Sequence, residues 1–271
     1  MKYGVCNWIF GGEPLSETAR RLASLSYDGV ELAGDLEKYK ASEVKAVMGD
    51  HGLTVLSITP ENVDPAHPDK KVWNQAVDYY LRLLDFAAEL GEPIVCCHGA
   101  VGRIRAVSTC DEEWAVYVEA VRRIGQRAEE TGLRVAMEVL NRYEAHLLNT
   151  AQEAVRFVEE VGCDHVGILL DAYHMNIEEA DLRGAILTAG DRLLLFHAAD
   201  SNRQAVGRGH TDFLGLMRTL KHIGYDGAII VECTASGPDP FTPVKGEGWR
   251  DEVHRYVAES VRLLKWYEKI A

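Results

Sequence analysis

Short apolar segments alternate with longer segments of helical periodicity along the chain. The short segments have the length and the β-branched content of buried strands. We expect strands at residues 3–8, 29–33, 54–58, 94–98, 134–139, 166–171, 193–198 and 228–232. The longer segments repeat apolar residues every three or four positions, as amphipathic helices do. We expect helices at residues 16–26, 70–90, 111–131, 150–161, 211–223 and 250–270.

Strands that alternate with helices predict a parallel sheet, because each helix returns the chain for a right-handed crossover. Eight such units close a (β/α)8 barrel, the TIM barrel, which commonly needs roughly 250 residues. Five glycines follow helical segments and precede strands, where a left-handed helix C-cap belongs: Gly52, Gly91, Gly132, Gly162 and Gly224. No Pro/Gly/Ser-rich linker divides the chain, so we expect residues 1–271 to form a single TIM-barrel domain.

Composition and charge exclude several functional classes. Hydrophobic residues make up 47% of the chain, enough for a large core, and the formal net charge is −13. That charge disfavours nucleic acid, whose phosphates are attracted by clustered Lys and Arg. No apolar run approaches the roughly 20 residues that span a bilayer, and no signal peptide is visible. We expect a cytoplasmic protein without membrane partners, whose six cysteines, lacking CxxC spacing, are reduced core thiols.

Four consecutive predicted strands end in residues that bind metals. Strand five ends at Glu138, strand six at Asp171, strand seven near His197 and strand eight at Glu232, with separations of 33, 26 and 35 residues. Each separation matches about one βα repeat, so the four side chains recur at one rim of the barrel. Active sites of this fold lie at that rim. Any one of these acids could be a helix N-cap or a solvated loop residue, but four at this spacing indicate a site.

Three carboxylates and one imidazole form a hard, oxygen-rich ligand set. Such a set suits Mn2+, Mg2+ or Co2+ better than a thiolate-selected zinc ion. The sequence therefore predicts one divalent metal ion per chain, with Mn2+ as the first choice and Co2+ or Mg2+ as alternatives.

Four segments resemble the D-tagatose/D-psicose (allulose) 3-epimerase family of the xylose isomerase-like barrels. They read EVLNRYE at 138–144, DAYHMNIEE at 171–179, HAADSNR at 197–203 and VE at 231–232. The resemblance is collinear from about Glu138 to Glu232, whereas residues 1 to about 130 show only the barrel pattern.

The resemblance implies a role for each matching residue. Glu138, Asp171, His197 and Glu232 would bind the metal, and Glu138 and Glu232 would also form the acid/base pair that inverts C3 of a free keto sugar through an enediolate. The residues implied to hold the substrate are Glu144, His174 and Arg203. A homo-oligomer, either a dimer or a tetramer, is implied as well. Read without the resemblance, Glu144 and Arg203 would be solvated loop charges and His174 an ordinary loop histidine.

Two further residues at the same rim are candidate substrate contacts. His98 ends strand four. A histidine at this position resembles related hydroxypyruvate isomerases and inosose-processing enzymes more than the ketohexose epimerases. The alternative is a core or capping histidine. Trp8 lies near the end of strand one and either walls the sugar site with Phe10 or packs in the core.

The same metal site serves other activities in related barrels. An aldose–ketose, hydroxypyruvate or inosose isomerase, or an inosose dehydratase, shares these ligands and remains an alternative to the 3-epimerase. An apurinic endonuclease would need several zinc ions and a cationic DNA-binding face, which the charge of −13 disfavours. A catalytically inactive binding module would be indicated by loss of a ligand, and all four are present.

Overall fold

The computed structural model describes residues 1–239 and 241–271 and shows eight parallel strands that close in chain order into a barrel. The strands are β1 (Lys2–Cys6), β2 (Gly29–Ala33), β3 (Thr54–Thr59), β4 (Ile94–Cys97), β5 (Val135–Glu138), β6 (Val166–Asp171), β7 (Leu193–Ala198) and β8 (Ala228–Val231). β1 pairs with both β2 and β8, so the sheet has no free edge. The predicted (β/α)8 barrel is confirmed.

Helices surround the barrel. They are α1 (Leu15–Ser24), α2 (Ala41–Gly49), α3 (Lys70–Leu90), α4 (Cys110–Thr131), α5 (Ala151–Val161), α6 (Ala172–Glu178), α7 (Leu182–Ala189), α8 (Phe213–His222) and α9 (Trp249–Ile270). The helices predicted from the sequence do not include α2, α6 and α7. The five predicted C-cap glycines all have positive φ values, between 67° and 99°. None of the helices described is both long enough and apolar enough to cross a membrane.

The first strand is shorter than predicted. β1 ends at Cys6, and Asn7–Phe10 form a 3-10 helix instead of continuing the strand. The buried Asn7 side chain holds this turn, because its Oδ1 accepts from the Ala33 amide at 2.7 Å and its Nδ2 donates to the Tyr39 hydroxyl at 3.0 Å. The 3-10 helix therefore places Trp8 at the rim of the barrel.

Strands buried on both faces make the barrel interior and the layer under the helices one continuous core. Some strand positions leave no room for a side chain: a Cβ at Gly29 would lie 2.2 Å from the Thr54 carbonyl oxygen. Four cysteines are buried in this core and Cys163 is half-buried against it, but Cys110 is exposed, so the prediction of a core thiol is wrong for Cys110. Cys110 is the first residue of α4, where the chain meets solvent.

A buried ionic network ties three rim loops together. Arg103, after β4, donates to Asp64 in the loop after β3 at 3.0 Å and to Glu113 of α4 at 2.5 Å. His146, in the loop after β5, lies 2.7 Å from the same Glu113 oxygen. Burial alone would raise the pKa of Glu113, but hydrogen bonds from Arg103 and from the amides of Ser108 and Val107 lower it to about 2.

We expect Glu113→Gln to lower the free energy of unfolding by about 2 kcal/mol, because it weakens the charge-assisted hydrogen bonds of a buried carboxylate while Arg103 keeps its ion pair with Asp64. The matched control on α4 is Glu119→Gln, whose pair with Arg123 is half-exposed and should contribute less than about 1 kcal/mol. Denaturant unfolding near pH 7 measures both. Because the pKa of Glu113 is lowered on folding, its stabilisation is complete above pH ~4.3 and disappears as the pH falls towards 2. Equal effects of the two substitutions would contradict this account.

Candidate active site

The carboxyl ends of β5 to β8 bring together the four side chains that are predicted to bind a metal. Glu138 and Asp171 are the last residues of β5 and β6, His197 is in β7, and Glu232 directly follows β8. Asp171 pairs in register with His197, which in turn pairs with Ile230 of β8. One ligand atom from each of the four side chains lies within 4.8 Å of the others. The barrel register therefore converts the spacing along the chain into one cluster.

The cluster is buried and incompletely satisfied. Asp171 has no solvent exposure; one of its oxygens accepts from the Tyr173 amide at 2.7 Å, while Oδ2 has no hydrogen-bond partner among the described residues. A buried carboxylate oxygen without a partner is costly, and native structures usually satisfy it. A divalent cation at the centre of the cluster would satisfy it, so these residues fit the expected metal.

Charge repulsion leads to the same conclusion. Burial raises the pKa of Glu138 well above its usual value, and the carboxylates of Glu232 and Asp171 add to the shift although His197 opposes it. Burial and the Glu232 charge raise the pKa of Asp171 to about 7. Burial alone would also raise the pKa of Glu232, but Arg203 and His197 outweigh it and lower that pKa. A bound cation would allow all three acids to ionise together.

Two neighbours hold Glu232 in addition to His197. Trp8 Nε1 donates to one of its carboxylate oxygens at 2.9 Å, and Arg203 Nη2 lies 3.3 Å from the other. Trp8 therefore does more than wall the site or pack in the core, as the sequence alone suggested. Phe10, its proposed companion in an apolar wall, is buried against His254.

Arg203 turns back towards the cluster from a strained backbone position. Its φ is 58°, in the left-handed region that non-glycine residues seldom adopt. The guanidinium lies over the Tyr173 ring, 4.7 Å from its centroid. Its Nε and Nη1 atoms are buried without hydrogen-bond partners among the described residues. Two strong donors are therefore available to a ligand.

Asn141 organises two of the predicted substrate residues. Its Nδ2 donates to Glu144 at 2.9 Å and lies 2.7 Å from Nδ1 of His174, which also accepts from the Asn141 backbone amide at 3.3 Å. Since Nδ1 of His174 accepts, the ring proton belongs on Nε2. Burial, and then the charge of Arg203, lower the pKa of His174 well below its usual value, so the ring is neutral at pH 7.

The cluster opens into a cavity of about 560 Å³. Seven of the nine predicted site residues line it, and Asp171 and His197 lie beneath: the seven are Trp8, His98, Glu138, Glu144, His174, Arg203 and Glu232. His98 Nδ1 lies 2.7 Å from the Gly99 carbonyl and must donate to it, which leaves Nε2 as an acceptor. Asp35, Glu61 and Asn62, from loops after β2 and β3, line the outer part of the cavity.

Sequence reasoning missed two residues of the site. Asn141 lies inside the EVLNRYE segment, but an asparagine in a loop carries no signal of its own. Glu31 in β2 has no solvent exposure and its Oε2 lies 3.0 Å from Nε2 of His197. The available signal was an acid within the apolar strand GVELA, where a charge is retained at a cost.

Comparison with known proteins agrees with this geometry. The family model described as xylose isomerase-like TIM barrel matches residues 19–265. The chain is 32% identical over 248 residues to a D-psicose 3-epimerase from Ruminiclostridium cellulolyticum, covering 85% of this chain and 82% of that protein. It is 30% identical over 250 residues to a 3-dehydro-D-guloside 4-epimerase from Escherichia coli, covering 89% and 95%. A solved D-psicose 3-epimerase with D-tagatose, from Clostridium cellulolyticum H10, superposes with a TM-score of 0.90 at 26% identity, covering 99% of each chain.

We expect the metal-free protein to bind one Mn2+ per chain and to unfold at a higher temperature with Mn2+ than with EDTA, because a ligand of the folded state stabilises it. Asp171→Asn should remove most of this shift, since it takes one negative charge from the cluster. The control is Asp164→Asn, at an exposed position in the loop before β6, which should retain the shift. Calorimetric titration and thermal unfolding measure both, and absence of Mn2+ binding by the wild type would contradict the expectation.

Proposed function

The chain belongs to the xylose isomerase-like TIM barrel family, and within it to the ketose 3-epimerases, and from this premise we propose that it inverts C3 of a free keto sugar by proton transfer between two glutamates. One observation carries the proposal. Glu138 and Glu232 come from the ends of non-adjacent strands, both belong to the four-residue cluster and both line the same cavity. Two such carboxylates can reach opposite faces of one carbon, which is what inversion requires.

Glu138, Asp171, His197 and Glu232 would hold the divalent cation, for which Mn2+ is our first choice, with Co2+ or Mg2+ as substitutes in an oxygen-rich site. When bound, the cation supplies Lewis acidity that polarises the sugar carbonyl and makes the neighbouring C–H more acidic. The protein then has to orient the sugar, move a proton and stabilise the negative charge that develops on oxygen.

The side chains that line the cavity divide this work. One glutamate of the pair removes the C3 proton and the other returns a proton on the opposite face. Arg203 donates from its unpartnered Nε and Nη1 atoms, and His174 donates from Nε2, to the oxygens on which charge develops in the enediolate. These donors are already in place before the reaction, which makes them effective in stabilising that charge. Glu144, held by Asn141, and His98, through Nε2, accept from sugar hydroxyls, while Trp8 borders the substrate and keeps Glu232 in place.

The setting of the enzyme completes the proposal. We place it in the cytoplasm, where six unpaired cysteines remain reduced, and propose a dimer or tetramer of single-domain chains, as the family resemblance implies. The net charge of −13 supports a small sugar and not nucleic acid as its partner.

A second candidate activity is C4 epimerisation of a 3-keto sugar. Its support is the match to the Escherichia coli 4-epimerase, which spans nearly the whole of both chains. The chemistry is the same step moved by one carbon, because the acidic hydrogen is always next to the carbonyl. Aldose–ketose isomerisation would also use this site, with the proton returned to C1.

We expect Glu138→Gln and Glu232→Gln each to lower turnover at least roughly a hundredfold, because each removes one general acid/base. Both residues also belong to the cation cluster, so bound Mn2+ must be measured on the same samples. Glu119→Gln, far from the cavity on α4, is the control and should retain the wild-type rate. A Gln variant with full metal content and a near-normal rate would remove that residue from the pair.

Deuterated water tests the reaction itself. We expect the enzyme, with Mn2+ and a free ketose, to place solvent deuterium at C3 of the epimerised product, because the proton passes through carboxylates that exchange with solvent. Mass spectrometry and NMR locate the label. Deuterium at C4 of a 3-keto sugar would support the second candidate, and deuterium at C1 with an aldose product would support an isomerase. Product that retains its original hydrogen would overturn proton transfer altogether.

A further inference from the structure

We propose that Glu31 is a positioning residue for the cation site: its carboxylate accepts the Nε2–H of His197 and so presents Nδ1 of that ring to the metal. The proposal rests on the metal site of the proposed function and adds a residue from β2, a strand outside the group β5 to β8. Neither the spacing of the four strand-end residues nor the resembling segments include Glu31.

The imidazole of His197 lies between Glu31 on one side and the two cluster glutamates, Glu138 and Glu232, on the other. Nε2 is 3.0 Å from Glu31 Oε2, whereas Nδ1 is 3.3 Å from Glu232 and 3.8 Å from Glu138. A neutral imidazole carries one proton and one lone pair. A hydrogen bond to Glu31 places the proton on Nε2 and leaves the lone pair on Nδ1, the atom that faces the other ligands. A carboxylate behind a metal-bound histidine fixes the ring and makes it a stronger ligand.

The sheet register aims Glu31 at this ring. β2 and β7 are three strands apart around the closed barrel, so the Glu31–His197 contact crosses its interior. Glu31 pairs with Cys6 of β1 and with Ser57 of β3, while Val30 pairs with Val55. The register between β2 and β3 therefore shifts by one residue between Val30 and Glu31, and Leu56 has no partner in β2. The shift places the Ser57 hydroxyl, instead of an apolar side chain, beside the carboxylate. Such local irregularities commonly re-aim a side chain next to an active site.

In the part of the chain that the structure describes, every hydrogen-bonding neighbour of the carboxylate is a donor. Oε1 accepts from Cys6 Sγ at 2.8 Å and from the Thr59 hydroxyl. Oε2 accepts from the Ser57 hydroxyl at 2.7 Å, from Cys96 Sγ at 3.5 Å and from His197. Among the described residues no Lys or Arg forms an ion pair with it; its ion-pair partner is His197. Stability alone would favour an apolar residue over a buried charge. The charge is explained if it acts through His197.

A different role is possible for the same atoms, since Cys6, Glu31 and His197 also place ligand atoms within 4.8 Å of one another. In that case Glu31 and Cys6 would bind a metal directly. The two roles differ in what Cys6 contributes: it is only a hydrogen-bond donor in the first and a ligand in the second.

The test is Mn2+ binding to the metal-free protein, with no sugar present. We expect Glu31→Gln to raise the Mn2+ dissociation constant roughly 10- to 100-fold, which is the usual effect of removing the hydrogen-bond partner of a metal-bound histidine. Cys6→Ala and Ser57→Ala, which remove other donors to the same carboxylate, should retain the wild-type constant. With Mg2+ bound, long-range proton–nitrogen NMR of ¹⁵N-histidine protein should show His197 as the Nε2–H form in the wild type and a loss of that signature in Glu31→Gln. Thermal unfolding in EDTA reports whether each variant is folded.

Four outcomes are decisive. Unchanged Mn2+ affinity and an unchanged His197 signature in Glu31→Gln would overturn the positioning role and leave the proposed function intact. Equal weakening in Cys6→Ala would replace positioning by direct ligation. A wild type that binds no divalent cation would overturn both proposals. Should Glu31→Gln not fold, Glu31→Asp keeps the charge but withdraws the carboxylate, and normal affinity in that folded variant would overturn the role too.

Discussion

Three carboxylates crowded around one imidazole in a buried space at the barrel rim repel one another, and the rest of this site depends on that repulsion. Without a cation the acids cannot all ionise, and Asp171 Oδ2 has no partner. Arg203 places a positive charge beside one carboxylate oxygen of Glu232, and Trp8 donates a hydrogen bond to the other. Both partners contact Glu232 directly, whereas the pKa values of Glu138 and Asp171 remain raised, so these two acids most need a metal.

Around this constraint the barrel builds a layer of supporting contacts. Asn141 fixes both Glu144 and His174, and Glu31 stands behind His197. Asp200 is fully buried and accepts from three backbone amides of the loop that carries Arg203, which helps that residue keep its strained backbone. Side chains locked in this way lose little freedom when a substrate binds, and a site held to a fraction of an ångström is what proton transfer requires.

Much of this arrangement could be predicted from residue order. The cluster of Glu138, Asp171, His197 and Glu232 could be predicted because a barrel repeats at a regular spacing and places its strand ends at one rim. Glu31 was not visible, because its partner His197 is 166 residues away along the chain and three strands away around the barrel. The role of Trp8 was hidden in the same way: a contact with Glu232 depends on the ring closing between β1 and β8.

The alternation of short apolar and longer amphipathic segments was enough to specify the barrel, its strand order and the glycines that end its helices, because these depend on local periodicity and backbone conformation. Folding in three dimensions decided what each rim residue touches. The irregular register at Leu56, the tautomers set for His98 and His174, and the aim of Arg203 follow from closure of the sheet and packing of its loops. Those contacts join residues far apart in the chain, and no local pattern encodes a distance between them.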